Sequence, residues 1–173
     1  MGDSLVTIVA IFLAAILMFV FPLMTMADRN DDVAQLAVQT ATTEFVDDVR
    51  NTGKLTLDDY DQFIQTIYST GNSFETTMEW QSLDDNRGVK ATQAEITKIG
   101  ENTYYTLYTT QIEEALNTQG KVTMKEGDIL TVTVRNTNQT IAQTLRNFFY
   151  QIAGNDTYQI AAQHGGVVTV NGR

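Results

Sequence analysis

Few side chains in this sequence are of the kinds that do chemistry, and their spacing limits what they can do. His164 is the single histidine, so a metal site with two or more histidine ligands cannot form within one chain. As a general base it would need a nucleophile and an orienting carboxylate that no spacing flags. Beside Gly165-Gly166 it reads as a turn residue. There are no cysteines, which excludes disulfides, thiolate nucleophiles and cysteine-based zinc sites. Asp58, Asp59 and Asp61 suggest a calcium loop, but the glycine and closing glutamate of an EF-hand are missing. They stand where helix N-termini collect acids. Asp28, Asp31 and Asp32 read as a solvated face, and Gly71 and Gly127 form no phosphate-cradling motif. Two triplets, Asn138-Gln139-Thr140 and Asn155-Asp156-Thr157, match the glycosylation acceptor pattern. Trp80 and the tyrosines offer a sugar-stacking platform, although at strand spacing they read more simply as core or interface. No catalytic constellation emerges, so the expectation is a non-enzymatic protein without cofactor or metal.

With chemistry set aside, the bulk charge narrows the partners. The chain has 173 residues and a formal net charge of -10, from 21 acidic and 11 basic side chains. Nucleic acid is an unsuitable partner, because neutralising phosphates needs clustered Lys and Arg. Peripheral docking on anionic lipid is disfavoured for the same reason. A soluble, self-repelling acidic domain suits an extracytoplasmic setting. A single proline rules out a proline-rich stalk.

One segment dominates the sequence. Leu5 to Met26, LVTIVAIFLAAILMFVFPLMTM, is 22 residues without a charge. As a helix it is about 33 Å long, close to the ~30 Å hydrocarbon thickness of a bilayer. A core helix seldom runs so far without a polar face. A cleaved secretory signal is the rival reading. Its n-region would be MGDS, with no Lys or Arg, and Thr25-Met26-Ala27 would be a poor cleavage site. The lipid bilayer is therefore the first expected partner, through residues 1–27 as a single-pass transmembrane anchor. Arg29 is the one basic residue near the ends of the run. The short head favours an inside N-terminus, with the large domain outside.

No helix-stop signal follows until Asn51-Thr52-Gly53. Ala34, Val38, Ala41, Phe45 and Val49 recur at three- and four-residue spacing. Asp31, Gln35, Gln39, Asp47, Asp48 and Arg50 are assigned to the other faces. Gly53 fits a C-terminal cap, with Arg50 near the negative end of the helix dipole. The simplest reading is one rod from Leu5 to Arg50, apolar first and amphipathic across residues 28–53. Pro22 removes a backbone hydrogen bond and predicts a kink or local melting. The alternative ends the helix at Pro22 and starts another near Asp31.

Residues 54–173 read as an α+β head. Thr56-Leu57-Asp58-Asp59 is a helix N-cap. Leu57, Tyr60, Phe63, Ile64, Ile67 and Tyr68 then form an apolar face up to about Ser69. Ser73 to Gln81 alternates as a half-buried strand. Leu83 to Thr97 reads as an exposed loop or weak helix. Tyr104 to Tyr108 has strand propensity, and a helix is expected over residues 109–117. Ile129 to Arg135 is the clearest strand. Ile141, Leu145, Phe148, Phe149 and Ile152 predict an amphipathic helix. Tyr158–Ala162 and Val167–Val170, flanking His164-Gly165-Gly166, predict a terminal hairpin. The expected fold class is α+β: a long N-terminal helix, transmembrane then amphipathic, with a small head of helices and a mainly antiparallel sheet.

The stretch FVDDVRNTGKLTLDDYDQFIQTIYSTGNSFETTMEW carries a family likeness. Phe45 to Arg50, Gly53, Leu55-Thr56, Asp59-Tyr60, Phe63 and Thr70-Gly71-Asn72 with Phe74 resemble TadE-like and type IV pilin-like proteins of bacterial tight-adherence (Tad) pilus clusters. The likeness covers Leu5 to about Trp80. It implies a structural subunit or minor component of a bacterial cell-surface pilus or secretion apparatus, anchored in the cell membrane. Its partners would be other copies, other pilin-like subunits and assembly machinery, held through Leu5, Ile8, Ile11, Phe12, Ile16, Phe19 and Pro22. Peptidase processing in such proteins would place the cut at Gly2, although position five after it is then Thr7 rather than glutamate. The alternative expectation is an anchored extracellular binding or adhesin module that does not polymerise.

Overall fold

The structure, a computed structural model, describes residues 2–83, 104–150 and 159–172. Helix α1 runs unbroken from Gly2 to Thr52, 51 residues, about 76 Å at 1.5 Å per residue. Pro22 lies inside it, so the helix neither ends nor melts there. The Thr25 hydroxyl donates to the Phe21 carbonyl at 3.0 Å, a local bond of the kind that accompanies disturbed helix geometry. The helix stops where the sequence places its cap. Gly53 has φ 64°, and its N–H donates to the Val49 carbonyl at 2.8 Å. A Cβ at Gly53 would lie 2.3 Å from the Val170 carbonyl oxygen, so both backbone angle and space require glycine.

Strand β1 (Lys54–Thr56) leads into helix α2 (Leu57–Tyr68). There Thr56 and Asp59 form a reciprocal capping box. Strand β2 (Phe74–Leu83) is followed, among the described residues, by β3 (Tyr104–Tyr108), α3 (Thr109–Gln119), β4 (Lys121–Thr123), β5 (Ile129–Asn136), α4 (Ile141–Tyr150) and β6 (Ala161–Val167). The order β3-β2-β5-β6 forms a four-stranded sheet, antiparallel at every pairing. A separate antiparallel pair joins β1 to β4. The fold class is α+β, as the sequence predicts. Residues 104–119 resolve into both of the readings their composition allows, a strand and then a helix.

The second half of α1 belongs to the head's core. Ala34, Val38, Ala41, Phe45, Val46 and Val49 are buried with Leu55, Phe63, Ile67, Met78, Leu130 and Val132. Phe45 stacks on Phe63 with ring centroids 4.4 Å apart. One face of α1 therefore packs across the sheet and against α2, and burial of that face helps stabilise the head.

Three expectations need correction. The terminal hairpin does not form: β6 runs straight through His164-Gly165-Gly166, pairing Val132 with His164 and Leu130 with Gly166. The glycines admit close approach rather than a turn. A Cβ at Gly166 would sit 2.6 Å from the Arg50 guanidinium carbon, and one at Gly165 would sit 2.7 Å from the Thr131 hydroxyl. Asp31 is not on a solvated face but buried, accepting a hydrogen bond from the Thr140 hydroxyl at 2.7 Å. Ile141, expected on the buried face of its helix, is exposed, whereas its neighbours Ala142 and Gln143 are buried. Of the loop or weak helix expected from Leu83 to Thr97, Leu83 instead ends β2, and its remainder, the triplet at Asn155, Tyr158 and Ile152 lie outside the described residues.

Candidate functional site

The apolar positions singled out in the sequence all fall on the first half of α1. Leu5, Ile8, Ile11, Phe12, Ile16 and Phe19 are exposed large hydrophobics, and Pro22 is exposed with them. Gly2 begins the helix. The helix is long and apolar enough to cross a membrane. Its most apolar 18-residue window has mean hydropathy 2.9, and none of it is buried within the chain. Such a surface is the most extensive exposed apolar feature among the described residues, and contiguous apolar area this size marks an interface with lipid or protein.

The exposed apolar surface continues past Met26. Val33 and Leu36 are exposed on the face of α1 turned away from Ala34, Val38, Ala41 and Phe45. The sequence carries the signal for them: two large apolar residues lie off the periodic face that packs on the head.

Of the polar groups that suggested chemistry, His164, Asp31, Asp59, Asn138 and Trp80 are engaged in structural contacts. Asp47 accepts from the Arg50 guanidinium at 2.8 Å and lies 3.2 Å from His164 Nε2. The Arg50 Nε donates to the Val167 carbonyl at 3.0 Å. The hydrogen bond from His164, helped by the His164 and Arg50 charges, holds the Asp47 carboxyl below the usual carboxylate range. Together these residues latch the end of α1 onto β6. Farther down, the Gln35 side chain pairs with the backbone of Ala161, donating to its carbonyl at 2.6 Å and accepting from its N–H at 2.9 Å.

Asp128 is a buried acid that no sequence pattern singles out. It accepts from Trp80 Nε1 at 2.9 Å, from the Ser82 hydroxyl at 2.8 Å and from the Lys125 N–H at 2.9 Å. A carboxylate satisfied by three donors is a structural anchor. Trp80 is therefore tied into the core rather than presented as a sugar platform. Tyr60 donates to the Glu113 carboxylate at 2.6 Å, and burial raises its phenol above the usual range. Asp59 is spent on its helix cap. Asn138 of the first acceptor triplet accepts from the Ser73 N–H at 2.8 Å and donates to the Asn72 side chain at 3.2 Å.

Among the described residues no group of three or more His, Asp or Glu side chains is placed to hold a metal ion. Among the described residues the concavities include open surface grooves, one of about 680 Å³ beside Thr52, Lys54, Glu126 and Thr169. A second, of about 240 Å³, lies between α1 and α2, lined by Glu44, Asp48 and Asp59 with Phe45 and Phe63. Another, of about 420 Å³, lies where Leu23 and Met26 of α1 meet the Asn138–Ala142 turn. Neither of these last two brings a nucleophile and a base together. The chain matches no known protein-family model, no characterised protein and no solved structure, so its function rests on its own geometry, and within that geometry on the uncovered half of α1.

Proposed function

We propose that the chain is a pilin-like structural subunit: a single-pass membrane protein whose apolar helix anchors it and then serves as its assembly surface, with the α+β head outside the cell membrane. The observation that carries this reading is the asymmetry of α1, one continuous helix whose second half is buried in the head while the large apolar side chains of its first half are exposed among the described residues. A lone apolar helix satisfies its own backbone hydrogen bonds, so lipid is a suitable environment for it. The same surface can leave lipid for neighbouring helices, because packing replaces lipid contact at little desolvation cost. Leaving it in water is costly: burying half of such a helix removes on the order of 1,000 Å², roughly 25 kcal/mol of gross transfer free energy. The acidic surface, formal net charge -10, keeps heads soluble while anchors gather.

The test compares the full chain with a variant lacking residues 1–27. The full chain is expected to float with phosphatidylcholine vesicles and to form higher assemblies. The truncated one is expected to be a soluble monomer with the same head circular dichroism. Assemblies built by the truncated protein, or a full chain that stays monomeric in water without detergent, contradict the reading. An anchored binding module is the second reading. It is favoured by the exposed Tyr104, Tyr105 and Tyr108 on strand β3, and a full chain that floats but never self-associates would support it.

A further inference from the structure

Helix α4 starts with a large apolar residue facing out. Ile141 is 73% exposed, while Ala142 and Gln143, the next two residues, are buried. Leu145 and Phe148 follow Ile141 in sequence at the spacing of a single helix face. An amphipathic helix ordinarily lays such a face on the core beneath it. Here the N-cap fixes the other orientation. The Thr140 hydroxyl donates to the buried Asp31 carboxylate at 2.7 Å and accepts from the Gln143 N–H at 3.1 Å. The Gln143 Oε1 accepts from the Thr140 N–H at 3.2 Å.

This end of α4 stands beside the end of the apolar run. Helix α4 packs on α1, and the groove of about 420 Å³ between them has two sides. Leu23, Met26 and Ile141 line the apolar one, and Asn30, Asn72 and Gln139 the polar one. Met24 and Ala27 are half-buried, in line with Asp31 at helical spacing, so α1 is partly covered on this face down to the last turn of the run. Because Leu5 to Met26 matches the hydrocarbon thickness, Met26 falls where acyl chains give way to headgroups. Asn30 lies about 6 Å farther along the helix, roughly the thickness of one headgroup layer. The groove thus turns from apolar to polar over the same distance as a bilayer surface does.

We infer that α4 rests in the bilayer surface, with Ile141 among the outermost acyl-chain segments and Asn30, Asn72 and Gln139 level with the headgroups. The inference rests on the membrane-anchored reading above. Its occupant is lipid because Ile141 is continuous, through Leu23 and Met26, with the surface that lipid covers in that reading. The anchor also holds α4 at the bilayer at high effective concentration. Attraction to anionic lipid is not needed: α4 has one charged residue, Arg146, in an acidic chain, so zwitterionic phosphatidylcholine suffices. With α1 crossing the bilayer and α4 lying on it, the head has two points of contact and one orientation.

The chain has no cysteine, so one probe can be placed at a time. Ile141→Cys, Met26→Cys and Asn51→Cys each replace an exposed residue. Each full chain is labelled with a fluorophore, inserted in phosphatidylcholine vesicles and floated. Met26 marks the end of the anchor, and Asn51 stands about 37 Å farther along α1. Lipids with nitroxides high on the acyl chain are expected to quench the probe at residue 141 within twofold of the one at residue 26. They should quench it at least fivefold more than the one at residue 51. If residue 26 is quenched and residue 141 behaves like residue 51, the lipid contact is overturned and the anchor stands. A probe at residue 141 that is shielded from aqueous iodide yet untouched by the nitroxides also overturns it, with protein as the occupant. If the probe at residue 26 escapes quenching as well, the anchor fails and the α4 contact with it. With the probe moved to Gln139→Cys, adding Ile141→Asp is expected to lower quenching at least twofold while the head circular dichroism is unchanged. Unaltered quenching there overturns the inference.

Discussion

The two halves of α1 are made by the same backbone rule and differ only in what covers them. In residues 31–52 the apolar side chains other than Val33, Leu36 and Ala37 sit on one stripe, and that stripe is used up by the sheet and α2. In residues 5–26 they sit all round, and the described residues supply no cover for the apolar window they form. Tertiary packing thus stabilises one half, while the other depends on whatever surrounds the molecule. A helix this long holds together across Pro22 because each half has its own support.

The largest expected contrast comes from placing one charge in each half. Val46→Asp buries an unpaired carboxylate in the core, where Val46 is 0% exposed. It is expected to destabilise the head by more than about 4 kcal/mol, seen as loss of cooperative thermal unfolding. Ile16→Asp should leave that unfolding transition in place and instead weaken bilayer insertion by about 3 kcal/mol, read by vesicle flotation. A head destabilised equally by both would erase the distinction between the halves.

A smaller effect sharpens the claim that the head's polar groups are spent on structure. Asp128→Ala leaves the Trp80, Ser82 and Lys125 donors without their acceptor. It should cost about 3 kcal/mol in denaturant unfolding while flotation is unchanged. Trp80 is the single tryptophan, so its emission should shift as the indole N–H loses its partner.

The smallest effect concerns the latch between α1 and β6. The Asp47 carboxyl is held below its ordinary value of 3.8. A depressed folded value means that its contribution is fully present above the unfolded value and is lost as pH falls through 3.8 and below. Asp47→Asn should therefore lower the stability slightly at about pH 7, where the contribution is present, and flatten the loss of stability between about pH 4 and pH 2, where the wild type gives it up. An identical acid profile in both proteins would remove the latch from the account.

Local rules make much of this fold legible. The spacing of Ala34, Val38, Ala41, Phe45 and Val49 identifies the packed face of α1. The Thr56–Asp59 cap and the alternation of β2 and β5 place the head's clearest elements. The three-residue strands β1 and β4 are not legible, because so short a run has no period. His164-Gly165-Gly166 resembles a turn until Arg50 is laid across it, and only tertiary contact explains why glycine is needed in that strand. Asp31 and Asp128 look like solvent-facing acids in sequence. Their burial depends on donors far along the chain, Thr140 for the one and Trp80 and Ser82 for the other. Of the candidate site, the apolar run is plain from composition, while the exposure of Val33 and Leu36 can be assigned only once the head has claimed the opposite face.

Hydrogen–deuterium exchange across α1 in the full chain tests the central claim most directly. Amides of residues 31–52 should be protected alike in vesicles and in dilute detergent-free solution, because the head covers them wherever the protein is. Amides of residues 5–26 should be protected in vesicles and exchange rapidly once the chain is diluted below the concentration at which it assembles. Equal protection of the first half in both settings would mean that the chain itself shelters that helix, and the account of an uncovered anchor would be wrong.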